Sequence, residues 1–190
     1  MLEQKLSNLK QNIKSLKKVV VAFSGGVDST FLLKVCIDEL GTDNVLAVTA
    51  RSQAITEREF EESQSLANFL NARQIIIELN ELDDPYISDN PPERCYFCKK
   101  QIFNKFIAIA KENGYNFVLE GANFSDKDDF RPGMRAVREL GVLSPLKDAG
   151  LTKDEIRELS KEMGLPTWNK PSYARSEERR VGKECRSRWS

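Results

Sequence analysis

Ser24-Gly25-Gly26-Val27-Asp28-Ser29 is where the sequence concentrates residue types able to do chemistry. Two adjacent glycines let a backbone take positive φ and approach a ligand closely. Successive N–H groups at a helix N-terminus make a nest sized for phosphate, and the helix dipole reinforces it. Ser24 and Ser29 add hydroxyl donors. Asp28 is out of place beside an anion unless a cation is present, and Mg²⁺ bridging its carboxylate to phosphate resolves the conflict. The segment is not a Walker A loop, because no Gly-Lys-Ser/Thr follows, and it is not the GxGxxG fingerprint of dinucleotide folds.

The remaining candidates are fewer. Cys95 and Cys98 form a CxxC pair, compatible with a metal or cluster, with redox chemistry, or with two unliganded thiols. Two thiolates do not complete a tetrahedral site, so a cluster needs a ligand from elsewhere. Arg131, just before Pro132-Gly133, is a candidate for bidentate contact with phosphate or a carboxylate, its alternative being a solvated loop arginine. Asp128 and Asp129 are candidates for Mg²⁺ in the same sense, with a solvated loop as the competing expectation. Cys36 lies on the inward face of a helix and reads as core. The chain contains no histidine. That removes Ser-His and Cys-His catalysis and any His-ligated zinc site, leaving carboxylates, thiols, lysines, backbone dipoles and bound metal.

The elements that must position these residues follow from periodicity. Leu2, Leu6, Leu9, Ile13 and Leu16 make one stripe of an amphipathic helix. Val19 to Phe23 predicts a buried strand ending at the glycine-rich segment, and a helix from about Asp28 should stop at Gly41. Val45–Thr49, Gln74–Leu79 and Phe117–Glu120 predict three more strands. Thr56 with Glu59, and Thr152 with Glu155, are capping boxes that open helices. A further helix is expected over Cys98–Asn113, after a long loop holding Asp83-Asp84-Pro85 and Asn90-Pro91-Pro92. Strands alternating with helices imply an α/β fold, a parallel sheet with helices on both faces. Ligands of such sheets bind at the carboxyl ends of the strands, where Ser24 and, after the fourth strand, Gly121 and Asn123 should meet.

Composition sets the outer limits. The chain has 190 residues, 29 Lys+Arg against 29 Asp+Glu, and 40% apolar residues. No apolar run reaches the roughly 18–20 residues that span a bilayer. The zero net charge gives nucleic acid no evident footprint. Four cysteines without a signal peptide imply a reducing, cytoplasmic setting in which disulfides are not expected.

SGGVDS is identical to the SGGxDS signature of PP-loop pyrophosphatases. Three later segments narrow the resemblance: Asn90 to Lys100 around the CxxC; Glu120-Gly121-Ala122-Asn123 running on to Ser144-Pro145-Leu146; and Gly164 to Ala174. Together they resemble the LarE family of ATP-dependent sacrificial sulfur transferases, which help build a nickel-pincer nucleotide cofactor. The resemblance implies a PP-loop, Rossmann-like fold and a substrate carboxylate carried on a mononucleotide. That carboxylate would attack the α-phosphate of Mg-ATP, giving an acyl-adenylate and pyrophosphate. It further implies sulfur delivery by a cysteine, or by a [4Fe–4S] cluster held by three cysteines, for which Cys95 and Cys98 are the matching positions. Ser24 to Ser29, Gly121 and Asn123 become the ATP ligands, and Asp28 and Arg131 the catalytic ones. A small-molecule carboxylate and further copies of the chain are the expected partners, with neither membrane nor nucleic acid.

The chain departs from the family at position 175, where the pattern has a cysteine and this sequence has Arg175. Residues 1–174 are expected to form the ATP domain. Of residues 175–190, nine of sixteen are charged with no apolar periodicity, so they should be foreign to the fold or a basic tail. Cys185 lies there as an unpreorganised thiol. The competing functional readings are an amide-forming PP-loop ligase of the NAD- or GMP-synthetase kind, a tRNA thiolase, and a non-catalytic ATP-binding module.

Overall fold

The computed structural model describes residues 1–52, 55–79, 94–128 and 132–171. Among them the chain forms a four-stranded parallel sheet in the order β3-β2-β1-β4. The strands are β1 Val19–Ala22, β2 Val45–Arg51, β3 Arg73–Glu78 and β4 Phe117–Leu119. The helices are α1 Leu2–Leu16, α2 Val27–Leu40, α3 Glu57–Phe69, α4 Arg94–Glu112, α5 Pro132–Glu139, α6 Pro145–Asp148 and α7 Lys153–Glu162.

The central strand shows why the sheet carries helices on both sides. All four residues of β1 are buried, and successive side chains point to opposite faces. Val19, Val21 and Phe23 enter one core with Leu9 and Ile13 of α1, Phe31 and Leu32 of α2, Leu66 of α3 and Ile156 of α7. Val20 and Ala22 enter the other core with Phe103 and Phe106 of α4 and Val137 of α5. A β-branched run that is apolar on both faces therefore fits a central parallel strand and nothing else in this chain.

Strand order then fixes where a ligand belongs. β1 continues through α2 to β2 on one side, in register Val19 to Val45, while its other edge pairs with β4, Val19 to Phe117. The connections thus turn in opposite directions at β1 and β4, leaving a crevice outside their carboxyl ends. Both capping boxes form as the sequence indicates, with Thr56 accepting from Glu59 and Thr152 from Glu155.

One helix starts earlier than the sequence expectation, and two more form where it drew no element. α4 begins at Arg94, one turn earlier than Cys98, which places Cys95 and Cys98 within its first turns. Pro132-Gly133, for which the sequence reading drew no element, opens α5, proline supplying its fixed φ at the first helical position. Ser144-Pro145 likewise starts the short α6. No described helix is long and apolar enough to cross a membrane.

Candidate active site

The loop after β1 is braced from beneath. The Phe23 amide donates to Val48 O at 2.9 Å, and the Thr49 hydroxyl donates to Phe23 O at 2.7 Å. Gln74 Nε2 in turn donates to Thr49 Oγ1 at 2.8 Å. The strand ladder is therefore extended one residue by side chains, so the turn begins at Ser24. Within the turn Ser24 Oγ and Ser29 Oγ lie 3.1 Å apart, and the Gly26 amide donates to Ser24 Oγ at 3.3 Å. Gly25 takes φ of +78°, which only glycine adopts without strain. The first intrahelical bond of α2 runs from Thr30 N to Gly26 O, leaving the amides of Val27, Asp28 and Ser29 outside the helical ladder. Val27 contributes only this backbone, because its side chain is in the core.

The loop after β4 closes the other wall. A Cβ on Gly121 would stand 3.0 Å from Ser29 N and 3.2 Å from Ser29 Cα, so glycine here permits the two loops to touch. Asn123, 3% exposed, donates from Nδ2 to Asp28 Oδ2 at 3.2 Å. Its own amide donates to Asp126 Oδ2 at 3.1 Å, and its Oδ1 accepts from Ser125 N at 2.9 Å. That local network fixes the Asn123 side chain in one orientation.

Asp28 is the centre of the arrangement. Its side chain is 6% exposed, and Oδ2 receives Lys153 Nζ at 2.6 Å as well as Asn123. Oδ1 is buried with no hydrogen-bond partner. Burial pushes the carboxyl above its ordinary range, opposed by the charge and hydrogen bond of Lys153 and the hydrogen bond of Asn123, and assisted by the nearby Asp126. A buried, under-satisfied carboxylate at the mouth of a phosphate nest has the donor chemistry for Mg²⁺. Asp28 and the nest therefore fit a metal-bound nucleotide phosphate.

Sequence reasoning gave no role to two lysines here, Lys153 and, within the Gly164–Ala174 motif, Lys170. Lys153 is the first residue of α7, its amide donating to Ser125 Oγ at 3.1 Å, and 125 residues separate it from Asp28. Lys170 donates from Nζ to Gly25 O at 3.2 Å and to Glu62 Oε2 at 2.9 Å. Arg157 holds the same C-terminal segment through Trp168 O at 2.8 Å and Lys170 O at 2.7 Å. The available signal was the Thr152–Glu155 capping box, which promised a helix N-terminus but not its destination.

The remaining candidates are placed differently. Arg131 and Asp129 lie outside the described residues, as do Arg175 and Cys185. Cys98 is 4% exposed and packs in the core beneath α4. Cys95, in the first turn of α4, is half-buried. A cluster on this pair requires both as thiolates. Among the described residues no group of three His, Cys, Asp or Glu side chains is arranged to hold a metal. The CxxC nevertheless borders the crevice: Lys99, next to Cys98, lies 3.8 Å from Glu120, whose other oxygen accepts from Ser144 Oγ at 2.7 Å.

Residues 1–106 match the family model described as NAD synthase. The chain belongs to the NAD synthase family. It is 42% identical over 169 residues to the pyridinium-3,5-bisthiocarboxylic acid mononucleotide synthase of Lactiplantibacillus plantarum, covering 89% of this chain and 61% of that protein. It is 41% identical over 172 residues to an uncharacterized protein of Synechocystis sp., covering 90% and 64%. These likenesses bear out the LarE-type resemblance read from the motifs. The chain spans less than two thirds of the length of both relatives. Its fold resembles NMN synthetase of Francisella tularensis with a TM-score of 0.73 at 16% identity, over 97% of this chain and 82% of that one.

Proposed function

We propose that this chain binds Mg-ATP and transfers AMP to a carboxylate carried on a pyridinium mononucleotide, releasing pyrophosphate as the opening step of ATP-dependent sulfur transfer. The observation that carries the proposal is Asp28. A buried carboxylate with one orphaned oxygen, set between a phosphate nest and two cation-bearing or amide side chains, has a clear use only when a cation-bound polyphosphate arrives. The similarity to the L. plantarum synthase supports the substrate class.

The residues divide the work by chemistry. The amides of Val27, Asp28 and Ser29 and the hydroxyls of Ser24 and Ser29 hold the departing phosphates. Asp28, with its unpartnered oxygen, would hold Mg²⁺, which when bound would neutralise phosphate charge. Gly121 and Asn123 bring the second wall within reach, and Arg131 is assigned to the substrate carboxylate. No general base is needed: an ordinary carboxylate is already ionised at neutral pH, so positioning and charge neutralisation suffice. A chain without histidine is equipped for that.

Sulfur delivery is proposed to stop short in this sequence. Position 175 carries arginine where the family pattern has cysteine, and no third thiolate joins Cys95 and Cys98 among the described residues. Residues 1–174 are the proposed catalytic unit, acting in the ATP-containing cytoplasm. The test is ATP–pyrophosphate exchange dependent on the pyridinium dicarboxylate mononucleotide. Exchange without thiocarboxylate or dehydroalanine in the mass spectrum is the expected result, and its absence with every carboxylate tried sinks the adenylation reading. The family match favours one alternative, amide formation, which the same assay detects as an ammonia-dependent product.

A further inference from the structure

Lys153 has no place in the sequence motifs, yet its ammonium sits where the positive charge of a cation would be needed. Nζ is 2.6 Å from Asp28 Oδ2, while Asp28 Oδ1 remains buried and unpartnered. The two ends of Lys153 are held unequally. Its backbone is fixed by the Thr152 capping box and by Ser125 Oγ, and α7 is anchored to α1 through Lys5 Nζ to Glu155 at 2.7 and 2.9 Å. Its side chain is 28% exposed, so the ammonium can leave Asp28 for the crevice without moving the helix. α7 is ten residues long and begins at Lys153, whose Nζ reaches the first turn of α2, where the amides of Val27, Asp28 and Ser29 lie outside the helical ladder. A displaced ammonium therefore finds the position an anion would occupy.

We infer that Lys153 is a placeholder cation: it neutralises Asp28 while the site is empty, yields the carboxylate to a divalent cation when the nucleotide arrives, and moves to a phosphate oxygen. This rests on the nucleotide reading above. The exchange keeps a cation on Asp28 in both states, one charge from the lysine and two from the metal, so the buried carboxylate is never left alone. It also makes metal and phosphate binding mutually dependent, because the metal must evict the lysine that the phosphate then receives.

Mn²⁺ alone and inorganic pyrophosphate without metal are the probes, followed by water-proton relaxation and calorimetry on the whole chain. Lys153→Met removes the competitor for Asp28 and the donor to phosphate. Mn²⁺ should then bind about tenfold or more tighter, and metal-free pyrophosphate about tenfold weaker. A merely structural lysine weakens both together, and that outcome overturns the inference. Asp28→Asn is the second variant: it should abolish Mn²⁺ binding but tighten metal-free pyrophosphate, a gain that must vanish in the Asp28→Asn/Lys153→Met double variant. Persistence of the gain in the double variant also overturns it. Failure of the wild-type chain to bind pyrophosphate under any condition instead rejects the nucleotide reading itself.

Discussion

Replacing Lys153 by methionine tests the electrostatics of the site through folding alone. Methionine keeps the unbranched stem and good helix propensity at the first position of α7, so the change is mainly one of charge. It leaves Asp28, 6% exposed, with Asn123 as its remaining partner. A buried carboxylate without its counter-ion escapes by taking a proton, and this sets the largest penalty. Protonation costs about 1.4 kcal/mol for each pH unit above the ordinary value of 3.8. The ceiling is therefore about 4.4 kcal/mol at pH 7 and about 1.6 kcal/mol at pH 5. Because burial already raises the Asp28 carboxyl in the wild type, the measured losses should fall below both ceilings. The sign follows from linkage: a carboxyl raised in the folded state favours folding at low pH and loses that advantage as pH rises through its folded value. Urea unfolding of both proteins at pH 5 and pH 7 should thus show a gap that widens with pH. Mn²⁺ should narrow it at pH 7, since a ligand that binds only the folded state stabilises it. An equal loss at both pH values refutes the reasoning and assigns Lys153 to packing of its aliphatic stem. A loss that grows toward acid refutes its sign.

Gly121→Ala should cost about 1–3 kcal/mol in urea unfolding and lower ATP affinity, because the added methyl meets the backbone of Ser29 rather than a movable side chain. An alanine variant with unchanged stability and binding would show that the two loops are not held in contact. Thr152→Ala removes the side-chain half of the α7 capping box, leaving the Thr152 amide on Glu155, and should destabilise by about 1 kcal/mol, with weaker metal-free pyrophosphate binding because Lys153 follows directly. Cys36 is fully buried, and burial pushes its thiol far above the usual range. Mass-spectrometric mapping of alkylation should find it modified only at the rate of global unfolding; faster labelling would mean that α2 opens locally.

The sequence was legible wherever chemistry and periodicity coincide in one segment. Val19 to Ser29 reads as strand, turn and helix because β-branched residues, paired glycines and an apolar stripe follow in order, and each forms as expected. The helix at Pro132-Gly133 went unread because a turn signal and a helix start use the same proline, which is tolerated at the first helical position. The start of α4 was missed because Cys95-Tyr96-Phe97-Cys98 mimics a ligand-binding loop, while Tyr96 and Cys98 are in fact buried on a helix. Lys153 was invisible for a different reason. Its partner is 125 residues away, and only the sheet order, which sets β4 and the segments that follow it beside β1, brings the two together.

The energetics of Asp28 bear on the function more than its motif does. A buried ion pair kept only for stability gains little over apolar packing, and it does best when every oxygen is satisfied. Here one oxygen has two donors and the other has none, at a depth where an unmet acceptor costs on the order of 1–3 kcal/mol. The apolar core lies close by, with Val27 and Phe31 on the same helix. An apolar residue at position 28 would therefore give a more stable chain. The carboxylate makes physical sense as the half-filled coordination of a cation, held ready by an ammonium that can leave. On that view the instability of the empty site is the same free energy that Mg-bound phosphate recovers on binding. Saturating Mg²⁺ with pyrophosphate should accordingly stabilise the wild-type chain by more than the sum of their separate effects.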